Sequence, residues 1–144
     1  MSGVPQVGRW RRMVAYWWYL WGSSLCYWGL RSHQADLFRG GVGAYTRAIS
    51  AWPEFTGAYL RRATIRSREL GEHPQAIVDL TRAIEMSPDI PELFLQRGLI
   101  QRFHGDPYAA LSDLEHFINH APTSDWRAEA ERQVAMLRED LAQG

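Results

Sequence analysis

The chain has 144 residues, 46 % of them hydrophobic and 22 % charged, which describes one folding domain and excludes a disordered tail. All 16 of its cations are arginine and they balance 16 acids, while its single cysteine, Cys26, excludes an internal disulfide, a C-x-x-C redox pair and a cysteine-rich zinc site. The zero net charge joins two unequal parts. Residues 1–47 hold six arginines against Asp36, a net of +5, and residues 48–144 hold ten arginines against fifteen acids, a net of −5.

In chain order, residues 1–12 form a basic segment with Arg9, Arg11 and Arg12. Residues 13–30 then run for eighteen positions without a formal charge, and Trp17, Trp18, Trp21 and Trp28 lie within them, with Trp10 just before. As a helix this run is roughly 27 Å long, close to the ~30 Å of a bilayer's hydrocarbon core. Its apolar residues wrap every face, because Trp17, Trp18, Tyr19, Leu20 and Trp21 are consecutive. A helix of that kind needs a sheath on all sides. The leading expectation is a tilted single-pass membrane helix that continues into the next element, with the five tryptophans as a membrane or docking surface. Two alternatives stand beside it. One is a removed secretory signal with Gly22 and Ser24 at the cleavage site; the other is an over-aromatic helix buried within a soluble fold. Arginines flank both ends of the run, so the side of the membrane is undetermined.

Beyond the run, the chain repeats itself. The tetrapeptide Thr-Arg-Ala-Ile stands at 46–49 and again at 81–84. Pro53, Pro88 and Pro122 recur at spacings of 35 and 34; Gly71 and Gly105, like Ala76 and Ala110, are 34 apart. Gly29, Ala63 and Gly98 form another column, each four residues after Leu25, Tyr59 or Phe94. A fixed period of this length marks stacked helical hairpins. Within a period, Phe55, Tyr59, Ala63 and Leu70 give a helical stripe over 54–70 that Gly71 ends. A second helix opens at Pro74, carries Ile77, Leu80, Ala83 and Ile84, and stops before Pro88. The next unit repeats the plan with Leu93, Phe94 and Gly98, a break at Gly105, and a helix from Pro107 through Ala110, Leu114 and Ile118 to Pro122. The small residues mark where antiparallel helices approach.

This pattern resembles the tetratricopeptide repeat (TPR) family at Tyr59, Ala63, Ala76, Leu80, Ala83 and Pro88, and again at Phe94, Gly98, Gly105, Ala110, Leu114 and Pro122. Phe117 departs from it, standing where the family prefers alanine. The resemblance implies an all-α fold: a short solenoid of antiparallel helix pairs. A degenerate unit is expected over 24–53, whose second helix, about 37–50, contains Gly40, Gly41 and Gly43 and needs close packing to offset them. Clear units follow over 54–88 and 89–122, and then a capping helix over 123–144 with Thr123, Ser124 and Asp125 as cap candidates.

Chemistry is sparse. His116 and His120 are i, i+4, a spacing that can present two imidazoles to a metal, yet no third ligand is visible and a solvated face is the simpler reading. The chain has no lysine for a phosphate loop, and Gly40, Gly41 and Gly43 lie in a helix-phased segment. No enzyme, cofactor, metal or small-molecule substrate is expected. Arg61, Arg62, Arg66 and Arg68 form the best polar constellation, either a guanidinium stripe for an acidic partner or ordinary solvation. The resemblance implies a peptide groove lined by Leu60, Thr64 and Ser67, then Leu95, Leu99 and Arg102; Arg61 and Arg68, seven apart on one helix face, join them as candidate partner contacts from the guanidinium stripe. The branch of the family that clamps chaperone C-terminal carboxylates uses Lys and Asn there, and this chain has Leu and Thr. The expected function is therefore a non-enzymatic scaffold, a membrane-anchored accessory or assembly subunit. Its partners would be proteins, as subunits of a membrane complex, and membrane lipid; nucleic acid is not expected, given the net −5 of the repeat half. The alternative is a soluble TPR adaptor that dimerises or docks through its tryptophan-rich helix.

Overall fold

The computed structural model describes residues 7–121 and 123–144. Residues 1–6 of the basic segment, and Pro122, expected as a helix stop, lie outside the described residues. Those described form seven helices and no strand: α1 (Arg9–Ser32), α2 (Ala35–Ala51), α3 (Thr56–Arg68), α4 (His73–Met86), α5 (Pro91–His104), α6 (Pro107–His120) and α7 (Arg127–Gln143). They group into two compact units, Met1–Gly71 with α1 to α3 and Glu72–Gly144 with α4 to α7.

Local chemistry explains the ends. His33 leaves α1 in the left-handed region at φ 54°, and Gly71 follows α3 at φ 66°, a conformation that costs glycine nothing. Pro74, Pro91 and Pro107 each stand in a first turn, where the missing N–H has no partner to lose. The Asp106 side chain accepts from the Tyr108 amide at 2.9 Å to cap α6, and the Ser124 hydroxyl accepts from the Trp126 amide ahead of α7.

The first unit is built on close approach and aromatic stacking. α1 and α2 pack along Gly22, Cys26 and Gly29 on one side and Phe38, Gly41, Ala44 and Tyr45 on the other. A Cβ at Gly22 would lie 3.1 Å from the Gly41 carbonyl oxygen, and one at Gly41 would overlap Cys26 Sγ. These contacts offset the weak helix propensity expected of α2. Gly43 is different: nothing lies near it. Phe55 ties the helices together, with ring centroids 4.8 Å from Trp52, 4.9 Å from Tyr16 and 5.0 Å from Tyr19. Such pairs contribute about 0.5–1.5 kcal/mol each beyond area burial. Tyr45 is fully buried and shares a hydrogen bond with the Ser23 hydroxyl at 3.1 Å; burial pushes its phenol up to about 12 and raises the Cys26 thiol as well.

The second unit has a mostly aliphatic core built around one phenylalanine. Leu95, Ala110, Leu114, Phe117, Ala130, Val134 and Leu137 pack together from α5, α6 and α7. Phe117, large where the family prefers alanine, is fully buried in a cluster that includes the small Ala130 of α7. Gly98 fits α5 onto α6, since a Cβ there would stand 3.0 Å from Leu114 Cγ and 3.1 Å from Asp113 Cβ. Beside it Asp113, 5 % exposed, holds Arg97 in a two-pronged pair at 2.7 and 2.8 Å, and Arg97 also donates to Thr81 Oγ1 at 3.1 Å. All polar ends of the pair are thereby engaged, as a desolvated pair requires.

The expected single-pass anchor is overturned. No described helix is long and apolar enough to cross a membrane. α1 has the length, at 24 residues, but Gly22, Ser23 and Ser24 and its many tryptophans and tyrosines add little hydrocarbon affinity, and Arg9, Arg11, Arg12 and Arg31 stand inside the helix. One side of it is already covered by α2. The lipid and membrane-complex partners drawn from the same run lose their basis.

Candidate interaction surfaces

In the second unit, α5 and the start of α7 enclose an open groove of about 670 Å³ lined by Leu99, Phe103, Asp125, Trp126, Ala128, Glu129, Arg132 and Gln133. Its two rims are aromatic: Phe103 is 63 % exposed and Trp126 58 %. Phe103 stands one turn after Leu99, on the same face of α5. The polar wall is tied together. Arg102 donates to the Gln133 backbone oxygen at 3.2 Å and to the Gln133 side-chain oxygen, bridging α5 to α7. Glu129 accepts from Arg132 and from Gln133, and the Arg132 hydrogen bond in first place holds its carboxyl below the usual range.

The residues expected to line a groove therefore divide. Leu99 lines it, and Arg102 bridges its two helices. Leu95 is 5 % exposed and lies in the core cluster with side chains of α6 and α7. In the first unit Leu60, Thr64 and Ser67 are half-buried and Arg68 is exposed. Thr64 donates its hydroxyl proton to the Leu60 carbonyl at 2.9 Å. Arg61 donates to Tyr19 Oη at 3.3 Å, the main reason its guanidinium pKa is raised. Arg62 donates to Thr46 Oγ1 at 3.0 Å and lies over the Tyr59 ring. Two of the four stripe arginines thus fasten α3 to α1 and α2. Phe103 and Trp126 were missed as a pair. Extending the Leu95–Leu99 register by one turn reaches Phe103, but nothing in the sequence brings Trp126 beside it.

The tryptophans of α1 also divide. Trp10, Trp17, Trp21 and Trp28 are at least half exposed, as are Met13, Leu20 and Tyr27. Trp17 and Trp21 stack in parallel, 6.2 Å apart. Trp18 instead turns toward the core cluster of Ala15, Ala48 and Phe55, with Arg47 lying 4.5 Å over its ring.

The histidines make stacks. His116 lies between Phe94 and His120, at 3.7 and 4.0 Å, and His73 stacks on His104 at 3.5 Å. Burial first, and then the neighbouring imidazole, lowers the pKa of both His73 and His116. Among the described residues no group of three or more His, Cys, Asp or Glu side chains is placed to hold a metal ion.

No family model matches the chain, and no curated protein matches it by sequence. Solved structures do match. The architecture is that of a TPR domain. The chain is similar to the Arabidopsis OM64 TPR domain, with a TM-score of 0.74 and 21 % identity over 90 % of this chain and 98 % of that one. It is similar to the TPR2B domain of yeast Sti1 in a pHsp70 complex, with 0.72 and 22 % over 89 % and 98 %. The first TPR domain of human RPAP3 gives 0.73 and 17 % over 92 % and 95 %. At these identities the likeness shows the fold.

Proposed function

We propose that this chain is a non-enzymatic TPR adaptor that holds a segment of a partner protein. In this reading it consists of a degenerate repeat over 24–53, repeats over 54–88 and 89–122, and a cap over 123–144. The observation that carries it is the α5–α7 groove, an open cleft in a TPR fold with two exposed aromatic rims. Exposed aromatics at a cleft are the side chains that dominate binding energy, since each buries a large area for little lost rotamer freedom. The yeast Sti1 domain is solved in a pHsp70 complex. This chain has Leu and Thr at groove positions where the carboxylate-clamping branch has Lys and Asn, which suits apolar and aromatic anchors more than a terminal carboxylate.

Peptide display against the full chain tests the reading. Selected peptides should lose about tenfold or more in affinity, about 1.4 kcal/mol, with Phe103→Ser or Trp126→Ser. Selection of peptides that bind both variants as well as wild type would remove the groove from consideration.

A further inference from the structure

We infer that the exposed face of α1 is a second docking surface, and that it takes an amphipathic helix of a partner protein with acidic residues at the ends of its apolar face. The inference builds on the adaptor reading but uses a different surface, so each can fail alone. Trp10, Met13, Trp17, Leu20, Trp21 and Trp28 are all at least half exposed and follow the 3.6-residue period along one side of the helix. A fully buried aromatic covers about 150–250 Å², so covering this ridge removes roughly 700 Å² from water, near the ~800 Å² per partner of a standard interface. Exposed apolar ridges of that size are uncommon without a partner.

The shape of the ridge selects the occupant. A helix surface has no free main-chain donors or acceptors, because its amides bond internally, so an extended strand finds nothing to pair with. A second helix packs its own ridge along it. The charge selects further. In helical register Arg9 and Arg31 stand at the two ends of the same ridge, and no acid lies anywhere within α1. A second copy of the chain, parallel or antiparallel, brings arginine onto arginine at both ends with no counter-charge. An acidic partner helix instead places carboxylates there, with the two-pronged geometry that guanidinium groups favour. The composition also favours protein over lipid. Tryptophan, methionine and arginine are the side chains enriched at protein interfaces. Met13 and Leu20 are the only non-aromatic apolar members of the ridge available to sit among acyl chains.

The test uses the full chain and two synthetic helices of about 22 residues. Both carry leucine at i, i+3, i+4 and i+7 spacing; one has glutamate at its flanks and ends, the other lysine. Titration calorimetry at low salt should show the glutamate helix binding about tenfold tighter or more, with the gap closing at about 0.3 M salt as screening shortens the Debye length. The double variant Trp17→Ser/Trp21→Ser should lose about tenfold toward the glutamate helix, while Phe103→Ser leaves it unchanged. Thermal melts of the double variant should match wild type, since both side chains are at least half exposed. Equal affinity for the two helices overturns the proposal. So does a wild-type dimer in sedimentation equilibrium that the double variant dissociates, which would assign the face to a second copy. Co-sedimentation with phosphatidylglycerol vesicles, without binding of either peptide, would assign it to a lipid surface and likewise overturn it.

Discussion

The two units solve the same packing problem with different materials. In the first, helices cross at glycine against cysteine, and aromatic rings fill the space around Phe55. In the second, they cross at glycine against leucine, with alanine and leucine in the core and a buried Arg97–Asp113 pair at the crossing. Charge follows the same division. Met1–Gly71 holds ten arginines against three acids, net +7; Glu72–Gly144 holds six against thirteen, net −7. The contrast teaches where each unit keeps exposed aromatic surface. The first unit uses some aromatics for its core and presents the rest on α1, whereas the second presents two at the mouth of a cleft.

The largest expected effect lies in the second unit. Asp113→Ala leaves a partly buried guanidinium without its carboxylate, and urea unfolding should show a loss of about 3–5 kcal/mol. Replacing both partners, as Arg97→Met with Asp113→Leu, should recover most of it. If the single variant costs no more than an exposed pair, about 0–1 kcal/mol, the pair does not organise the crossing. The corresponding break in the first unit is Gly41→Ala. Its Cβ meets Cys26 Sγ, so overpacking should cost about 1–3 kcal/mol. In a Cys26→Ala background the same change should cost less than in wild type, because the worst overlap is gone, the Gly22 carbonyl oxygen at 3.3 Å is the close contact that stays, and alanine favours helix by about 0.8–1.0 kcal/mol. Additive effects in that double-mutant cycle would show that the glycine and the cysteine do not meet.

Acid should separate the units further. His73 and His116 both lie in the second unit, and both have pKa values lowered below the ordinary ~6.5. The unfolded chain therefore binds protons more readily than the folded one. Stability present above about pH 6.5 should decline as pH falls through the depressed folded values. His116→Asn should flatten the decline in Tm between about pH 7 and 5; an unchanged pH profile would show that the stacked imidazoles carry no linkage. The smallest effect is expected on α1, where Trp17→Ser should change stability by less than about 0.5 kcal/mol while altering binding. A large drop in Tm there would mean that the ridge belongs to the core of the first unit.

Much of the framework was legible in the residues. The recurrence of Ala76 with Ala110, the proline openings of α4 and α6 and the stop at Gly71 are local signals, and the helices follow them. Gly98 and Gly41 were readable as close contacts because they fall at the small-residue positions of the repeat, whereas Gly43, off that phase, meets nothing. The site was less legible. Leu95 and Leu99 share a face of α5 by register, yet Leu95 is buried among side chains of α6 and α7 while Leu99, only partly buried against the same cluster, also lines the groove. The spacing of Arg61 and Arg62 fits either a stripe for an acidic partner or ordinary solvation, and only the fold sets Tyr19 and Thr46 beside them.

By itself, then, the sequence determined an all-helical chain with a period near 34 residues, small residues at the crossings, and cations and tryptophan gathered toward its start. Those features rest on local backbone preference and side-chain volume, which do not depend on distant neighbours. Only the tertiary structure decided what each face meets. It separated Trp18, packed on the core, from Trp17 and Trp21, left outside, and it replaced a membrane-crossing helix with one that is half covered by α2 and half exposed. The reason is physical: periodicity states which side chains share a face, but burial is a property of two surfaces, and the second comes from elsewhere in the chain.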